Sequence, residues 1–225
     1  MSRESFPEAL QRTELEFVTL GELAATSIQR SVQALVERDV DLAQRVIADD
    51  DQIDELYLQI DSGTLSLLAL QSPVAADLRL ISAILHGSLH LERIGDQAVN
   101  IAKLFLMTNQ SPGAASMRGM IGEMGERVVS MIRTAMEAFT NRDLERCLQL
   151  TKMDDLVDRL NRSSHLEALK LADDRDALDW GMHMNLAARA LERAGDNAVD
   201  IGEQIHYLVT GEFKEFTDAS HEVLP

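Results

Sequence analysis

Apolar residues recur along this chain at alternating spacings of three and four, the pattern of helices that each bury one stripe. Residues 12–37 carry Leu20, Leu23, Ala24, Ile28, Val32 and Leu35 on such a stripe. Residues 41–70 carry Leu42, Val46, Ile53, Leu56, Ile60 and Leu67, and residues 74–107 carry Leu78, Ile81, Ile84, Leu91, Ala98 and Ala102. At 1.5 Å of rise per residue these are rods on the order of 40 to 50 Å long. The same plan returns at 117–140, 143–172 and 176–209. Ser72-Pro73 offers a cap and a first-turn proline for the third rod, and Gly211 a stop for the last.

The second half also repeats the first in wording. LERIGDQAVNIAK from Leu91 reads against LERAGDNAVDIGE from Leu191, and the Asp50-Asp51-Gln-Ile-Asp54 stretch reads against Asp154-Asp155-Leu-Val-Asp158. A unit of about a hundred residues is far longer than a solenoid repeat and indicates a duplicated domain. The expected fold is all-α: two tandem three-helix bundles related by internal duplication. Residues 1–110 form the first, 117–225 the second, and 111–116, within the turn-forming TNQSPGAAS, the linker.

Composition agrees with helices. Four prolines and 4% aromatic residues sit among abundant Leu, Ala, Glu, Asp, Arg and Met, residues that lose little rotamer freedom in a helix. The methionines between Met117 and Met136 fall at core spacing and serve as gap fillers. A single cysteine, Cys147, forms no intramolecular disulfide, and MSRESFPEALQRTELEF lacks the apolar centre of a signal peptide. Both point to the cytoplasm. A net charge of -17 without a basic stripe argues against direct nucleic-acid binding and against an anionic membrane, except through partners.

The charge pattern carries the candidate chemistry. Carboxylates four residues apart on a helix repel by a few tenths of a kcal/mol unless something neutralises them. Here such pairs occur four times, at matched positions of both repeats: Asp50 with Asp54, Glu92 with Asp96, Asp154 with Asp158, and Glu192 with Asp196. Each flanks an apolar stripe, so facing pairs on neighbouring helices would converge four carboxylates in each repeat. Asn100 and Asp200 extend the lines. Oxygen-only donor sets select hard cations, with Fe, Mn or Mg the expected metals, rather than structural zinc. Gly95 and Gly195 stand between stripe and carboxylates, where a missing side chain would admit the adjacent helix at a cost of about 1 kcal/mol in helix propensity.

SPVAADLRLI followed by LERIGDQAVNIA, with LERAGDNAVDI in the second half, resembles the PhoU family of phosphate-signalling regulators over essentially the whole chain. The resemblance implies tandem three-helix bundles with acidic motifs that hold metal in some members. It further implies a negative regulator of the phosphate-starvation response and modulator of phosphate uptake. Its implied partners are the ATPase subunit of a phosphate ABC transporter and a sensor histidine kinase, met at the inner face of the membrane, and a homodimer is the expected assembly. Asn100 departs from its counterpart Asp200, and the second repeat has no equivalent of PVAADLR. Asp77 and Arg79 in that stretch are expected to form a local ion pair.

Two other readings stand beside this one. A metal-free acidic scaffold would use the same carboxylates to dock partners directly. A di-iron bundle enzyme needs Glu-x-x-His on two helices, and only Glu203-Gln-Ile-His206 has that spelling. His86 and His90, four apart, are replaced by Leu186 and Ala190 in the second copy and read as packed or surface histidines. With no nucleophile motif and no glycine-rich phosphate loop, the chain is expected not to be an enzyme.

Overall fold

A computed structural model describes residues 5–71, 73–111 and 113–216. All regular structure among these residues is helical: α1 (Phe6–Glu37), α2 (Val40–Asp49), α3 (Asp51–Gln71), α4 (Ala75–Thr108), α5 (Ala115–Asn141), α6 (Leu144–Leu169) and α7 (Arg175–Thr210). Since α2 and α3 are one rod interrupted at Asp50, the segments form the six rods the periodicity predicts. At the interruption Asp50 keeps right-handed helical angles, and its carbonyl accepts from both Ile53 N–H (2.8 Å) and Asp54 N–H (3.2 Å). The first repeat is thus a bundle of α1, α2–α3 and α4, and the second a bundle of α5, α6 and α7.

Helix boundaries follow local chemistry. Asp39, Asp143 and Asp174 cap α2, α6 and α7 by accepting first-turn backbone N–H bonds. α1 begins at Phe6, earlier than its apolar stripe, because Glu8 folds back to accept from Ser5 N–H and Oγ–H. α4 starts at Ala75 with Val74 at the cap position, two residues beyond the expected start; Ser72 lies outside the described residues. α6 stops at Leu169, three residues short of expectation, in a run of tight turns that ends at Asp174. Gly211 closes α7 at φ 78°, its N–H bonded to Tyr207 O.

The two bundles share one continuous core. α1 lies antiparallel to α5, and α4 antiparallel to α7, so a residue early in one helix meets a residue late in the other. Phe17 packs edge-on to Phe139 with ring centroids 4.7 Å apart. A Cβ on Gly21 would fall 2.5 Å or less from Met136, and one on Gly125 would fall 2.7 Å from both methyls of Val32. These contacts are equivalent under the repeat, since Gly21 corresponds to Gly125 and Val32 to Met136. An approximate two-fold therefore relates the bundles, and α1, α4, α5 and α7 form a central four-helix layer flanked by α2–α3 and α6.

Met117, Met124, Met131 and Met136 are buried in this core as the sequence predicts, whereas Met120 is only half-buried. Leu78 is instead 47% exposed, with Leu80 turned inward. Arg79 does not pair with Asp77; its Nε donates to Leu208 O at the end of α7, where a cation meets the negative end of the helix. Cys147 is fully buried, and desolvation with the nearby Asp143 pushes its thiol up to about 12, far from nucleophilic use. No helix among the described residues is long and apolar enough to cross a membrane.

Candidate functional site: two acidic faces

In the first repeat the α2–α3 break sets Asp50 and Asp54 opposite α4. Burial and then the charges of Asp54, Asp96 and Asp51 raise the Asp50 carboxyl from its ordinary 3.8 to about 6. Glu92 is raised by burial and by Asp96, Asp54 and Asp50. Mutual perturbation across two rods shows that the structure brings Asp50, Asp54, Glu92 and Asp96 into one electrostatic neighbourhood. Lys103 partly offsets it at Asp50.

Gly95 makes the approach possible. A Cβ there would lie 3.0 and 3.1 Å from Ile53 side-chain carbons and 3.4 Å from Asp50 Oδ1. At Gly195 the same construction meets Asp154 Oδ1 at 2.8 Å. The repeated glycine thus seats a carboxylate of the second rod directly against the third, in both copies.

The second face is more deeply enclosed. Asp154 and Asp158 on α6 are only 5% and 8% exposed, and Asp154 Oδ1 and Glu192 Oε2 are shut off from solvent. Cations stand at its rim: Arg162 Nη1 is 3.5 Å from Asp158 Oδ2, and Arg189 Nη1 is 3.8 Å from Glu192 Oε1. Asp196 lies one helical turn from Glu192 on α7. Among the described residues no set of three or more His, Cys, Asp or Glu is drawn tightly enough to enclose an ion. The donor chemistry nevertheless suits a hard cation. Oxygen ligands dominate both faces, and a positive charge would relieve the repulsion and desolvation that raise Asp50 and Glu92.

Asp200 and Asn100 take other places. Asp200 faces α4, where His90 Nδ1 lies 3.3 Å from its Oδ2 and 2.9 Å from Asn197 Oδ1. Burial raises the Asp200 carboxyl, while His90 and Arg93 lower it. Asn100 lines a groove with Lys103, Arg189 and Arg193. Periodicity missed this seam because it shows which face is buried but not what covers it. The lone Glu-x-x-His spelling is used structurally: Glu203 accepts from Phe216 N–H at 2.6 Å, and His206 Nδ1 lies 3.1 Å from Glu212 O, fastening the segment after α7.

The raised Asp50 sets a pH expectation. The folded chain holds this proton more tightly than the unfolded one, so the contribution of Asp50 to stability is fully present below pH 3.8 and is lost as pH rises through about 6. In chelator, Asp50→Asn is expected to raise the urea midpoint at pH 7 and to shrink the fall between those two pH values. A lowered midpoint in the variant at pH 7 would show that the Asp50 charge stabilises the fold.

Fold and site together define a duplicated helical-bundle protein with one acidic face per repeat. A family model described as the PhoU domain matches residues 17–105 and again 121–205, and the chain belongs to the PhoU family. A "Phosphate-specific transport system accessory protein PhoU homolog" of Caulobacter vibrioides is 33% identical over 209 residues, 92% of this chain and 91% of that one. Its Clostridium acetobutylicum namesake is 31% identical over 220 residues, covering 97% and 100%. The crystal structure of PhoU from Pseudomonas aeruginosa superposes with a TM-score of 0.88 at 31% identity, covering 92% of this chain and all of that one. A phosphate transport system regulatory protein PhoU from Streptococcus pneumoniae gives 0.86 at 27% identity, covering 94% and 100%.

Proposed function

We propose that this chain restrains the phosphate-starvation response and modulates phosphate uptake by contacting two partners in turn: the ATPase subunit of a phosphate ABC transporter and the cytoplasmic region of a sensor histidine kinase. It acts as a non-catalytic homodimer in the cytoplasm and reaches the membrane only through those partners. A hard cation, Fe, Mn or Mg, held on each acidic face sets the surface that the partners meet. Asp50, Asp54, Glu92 and Asp96 hold it in the first repeat, and Asp154, Asp158, Glu192 and Asp196 in the second.

The supporting observation is the pair of repeat-equivalent acidic faces, each seated on a glycine, in a chain whose relatives are named phosphate transport accessory proteins. Isolated surface carboxylates contribute little to stability, whereas half-buried ones such as Asp50 and Glu92, which raise each other's affinity for protons, carry a cost that a bound cation would offset.

The test is capture of the purified ATPase subunit and kinase cytoplasmic region on the immobilised chain, loaded with Mn or treated with chelator. Retention of both partners by the loaded chain and loss on chelation is the expected outcome. Equal retention after chelation would favour the metal-free docking scaffold, and no retention in either state would contradict the regulatory reading.

A further inference from the structure

The approximate two-fold that relates α4 to α7 does not extend to the side chains along the seam between them. On one side of the axis His90 reaches Asn197 and Asp200, and Arg93 lies in the field of Asp200. The repeat maps His90 to Ala190, Arg93 to Arg193, Asn197 to Gln97 and Asp200 to Asn100. On the other side, therefore, the imidazole is replaced by a methyl group and the carboxylate by an amide. The result is a groove of about 400 Å³ lined by Gln97, Asn100, Lys103, Arg189 and Arg193.

The substitutions change the charge of the groove as well as its volume. Arg93 has Asp200 to balance it, but Arg193 lines the groove with Asn100 and makes no side-chain hydrogen bond or ion pair with any described residue. Arg189 sits one turn away with Glu192 at 3.8 Å, the margin of an ion pair, and Lys103 approaches from α4 while also lying in the field of Asp50. Two guanidiniums, an ammonium and two side-chain amides converge, and their lining contains no carboxylate. In a chain of net charge -17 a cationic concavity of this size is out of keeping with the surrounding surface. Forked guanidiniums and amide N–H groups match multi-oxygen anions. Met107 and Leu186 on the same groove are 74% and 53% exposed and offer apolar contact beside the charges.

We infer that the α4–α7 groove binds a small organic phosphate, its oxyanions held by Arg193, Arg189 and Lys103 and its apolar or planar part laid on Leu186 and Met107. This groove borders the acidic faces, sharing Arg189 with the rim of the second and Lys103 with the field of the first, and is therefore tested with the faces free of metal.

The test is isothermal titration of the full chain with ATP and with inorganic tripolyphosphate, in chelator at low salt. Expected is saturable binding of one equivalent of ATP that weakens with added salt. It should weaken at least tenfold in Arg193→Gln and in Asn100→Asp, the latter placing beside Arg193 the carboxylate that Asp200 places beside Arg93. Arg133→Gln, in the groove between α1 and α5, should leave it unchanged, and circular dichroism should report full helix content in all three. Sedimentation with phosphatidylglycerol vesicles, lost in Arg193→Gln, would identify the phosphate as a lipid headgroup; ATP binding without sedimentation identifies a soluble ligand. No saturable binding of ATP, tripolyphosphate or vesicles, or binding equal in wild type, Arg193→Gln and Asn100→Asp, would overturn the inference.

Discussion

Valine in place of Gly113 is expected to destabilise the protein by about 3 kcal/mol through two independent costs. Gly113 adopts φ 61°, a left-handed conformation that a β-branched residue enters only with strain. Its missing side chain is also the space taken by Trp180: a Cβ would fall 2.4 Å from indole Cε2 and Cζ2. Trp180 is 5% exposed, so it cannot move aside without opening the core where the connection between repeats meets the start of α7, and as the chain's one tryptophan it reports that opening. Urea unfolding of Gly113→Val should show a midpoint shift of that size, with native Trp emission moved to longer wavelength. Gly119 is the counterpart control: nothing lies within 4 Å of a Cβ there, so Gly119→Ala should stabilise by roughly 0.5–1 kcal/mol through helix propensity alone.

Neutralising the third-rod carboxylates should have a larger effect on ligand than on fold. In the variant Glu92→Gln, Asp96→Asn, Glu192→Gln, Asp196→Asn, the side chains keep their size but lose the charge that a hard cation requires. Its metal affinity is expected to fall below detection at micromolar protein. Stability in chelator should not drop, because the first face loses the repulsion that raises Asp50 and Glu92. The second face also loses the Arg189–Glu192 contact, but at 3.8 Å with Arg189 58% exposed this is a marginal ion pair that contributes little.

Much of this was legible in the sequence. The six rods follow from apolar spacing, and the duplication from two spelled-out phrases. The acidic pairs and Gly95 with Gly195 follow from matching those phrases, and the glycines do admit Asp50 and Asp154. Three features were not legible, each for a physical reason. The interruption at Asp50 leaves its backbone angles helical and therefore leaves no signature in residue type. The antiparallel seams are set by tertiary packing: the spacing that relates Asp50 to Asp154 also relates Gly21 to Gly125, but nothing in one chain says that Val32 or Met136 will cover them. The same ignorance of partners put Asp200 and Asn100 with the acidic sets, whereas α4 and α7 cross so that Asp200 meets His90 and Asn100 borders the cationic groove.

The claim that these repeated faces are cation sites is tested most directly by elemental analysis of untagged protein purified without chelator and reconstituted with Fe, Mn and Mg in turn, beside the four-carboxylate variant shown by circular dichroism to be folded. Stoichiometric metal in the parent and none in the variant is the predicted result. Equal, negligible metal in both after every reconstitution would contradict it and leave two acidic faces that dock proteins without a metal.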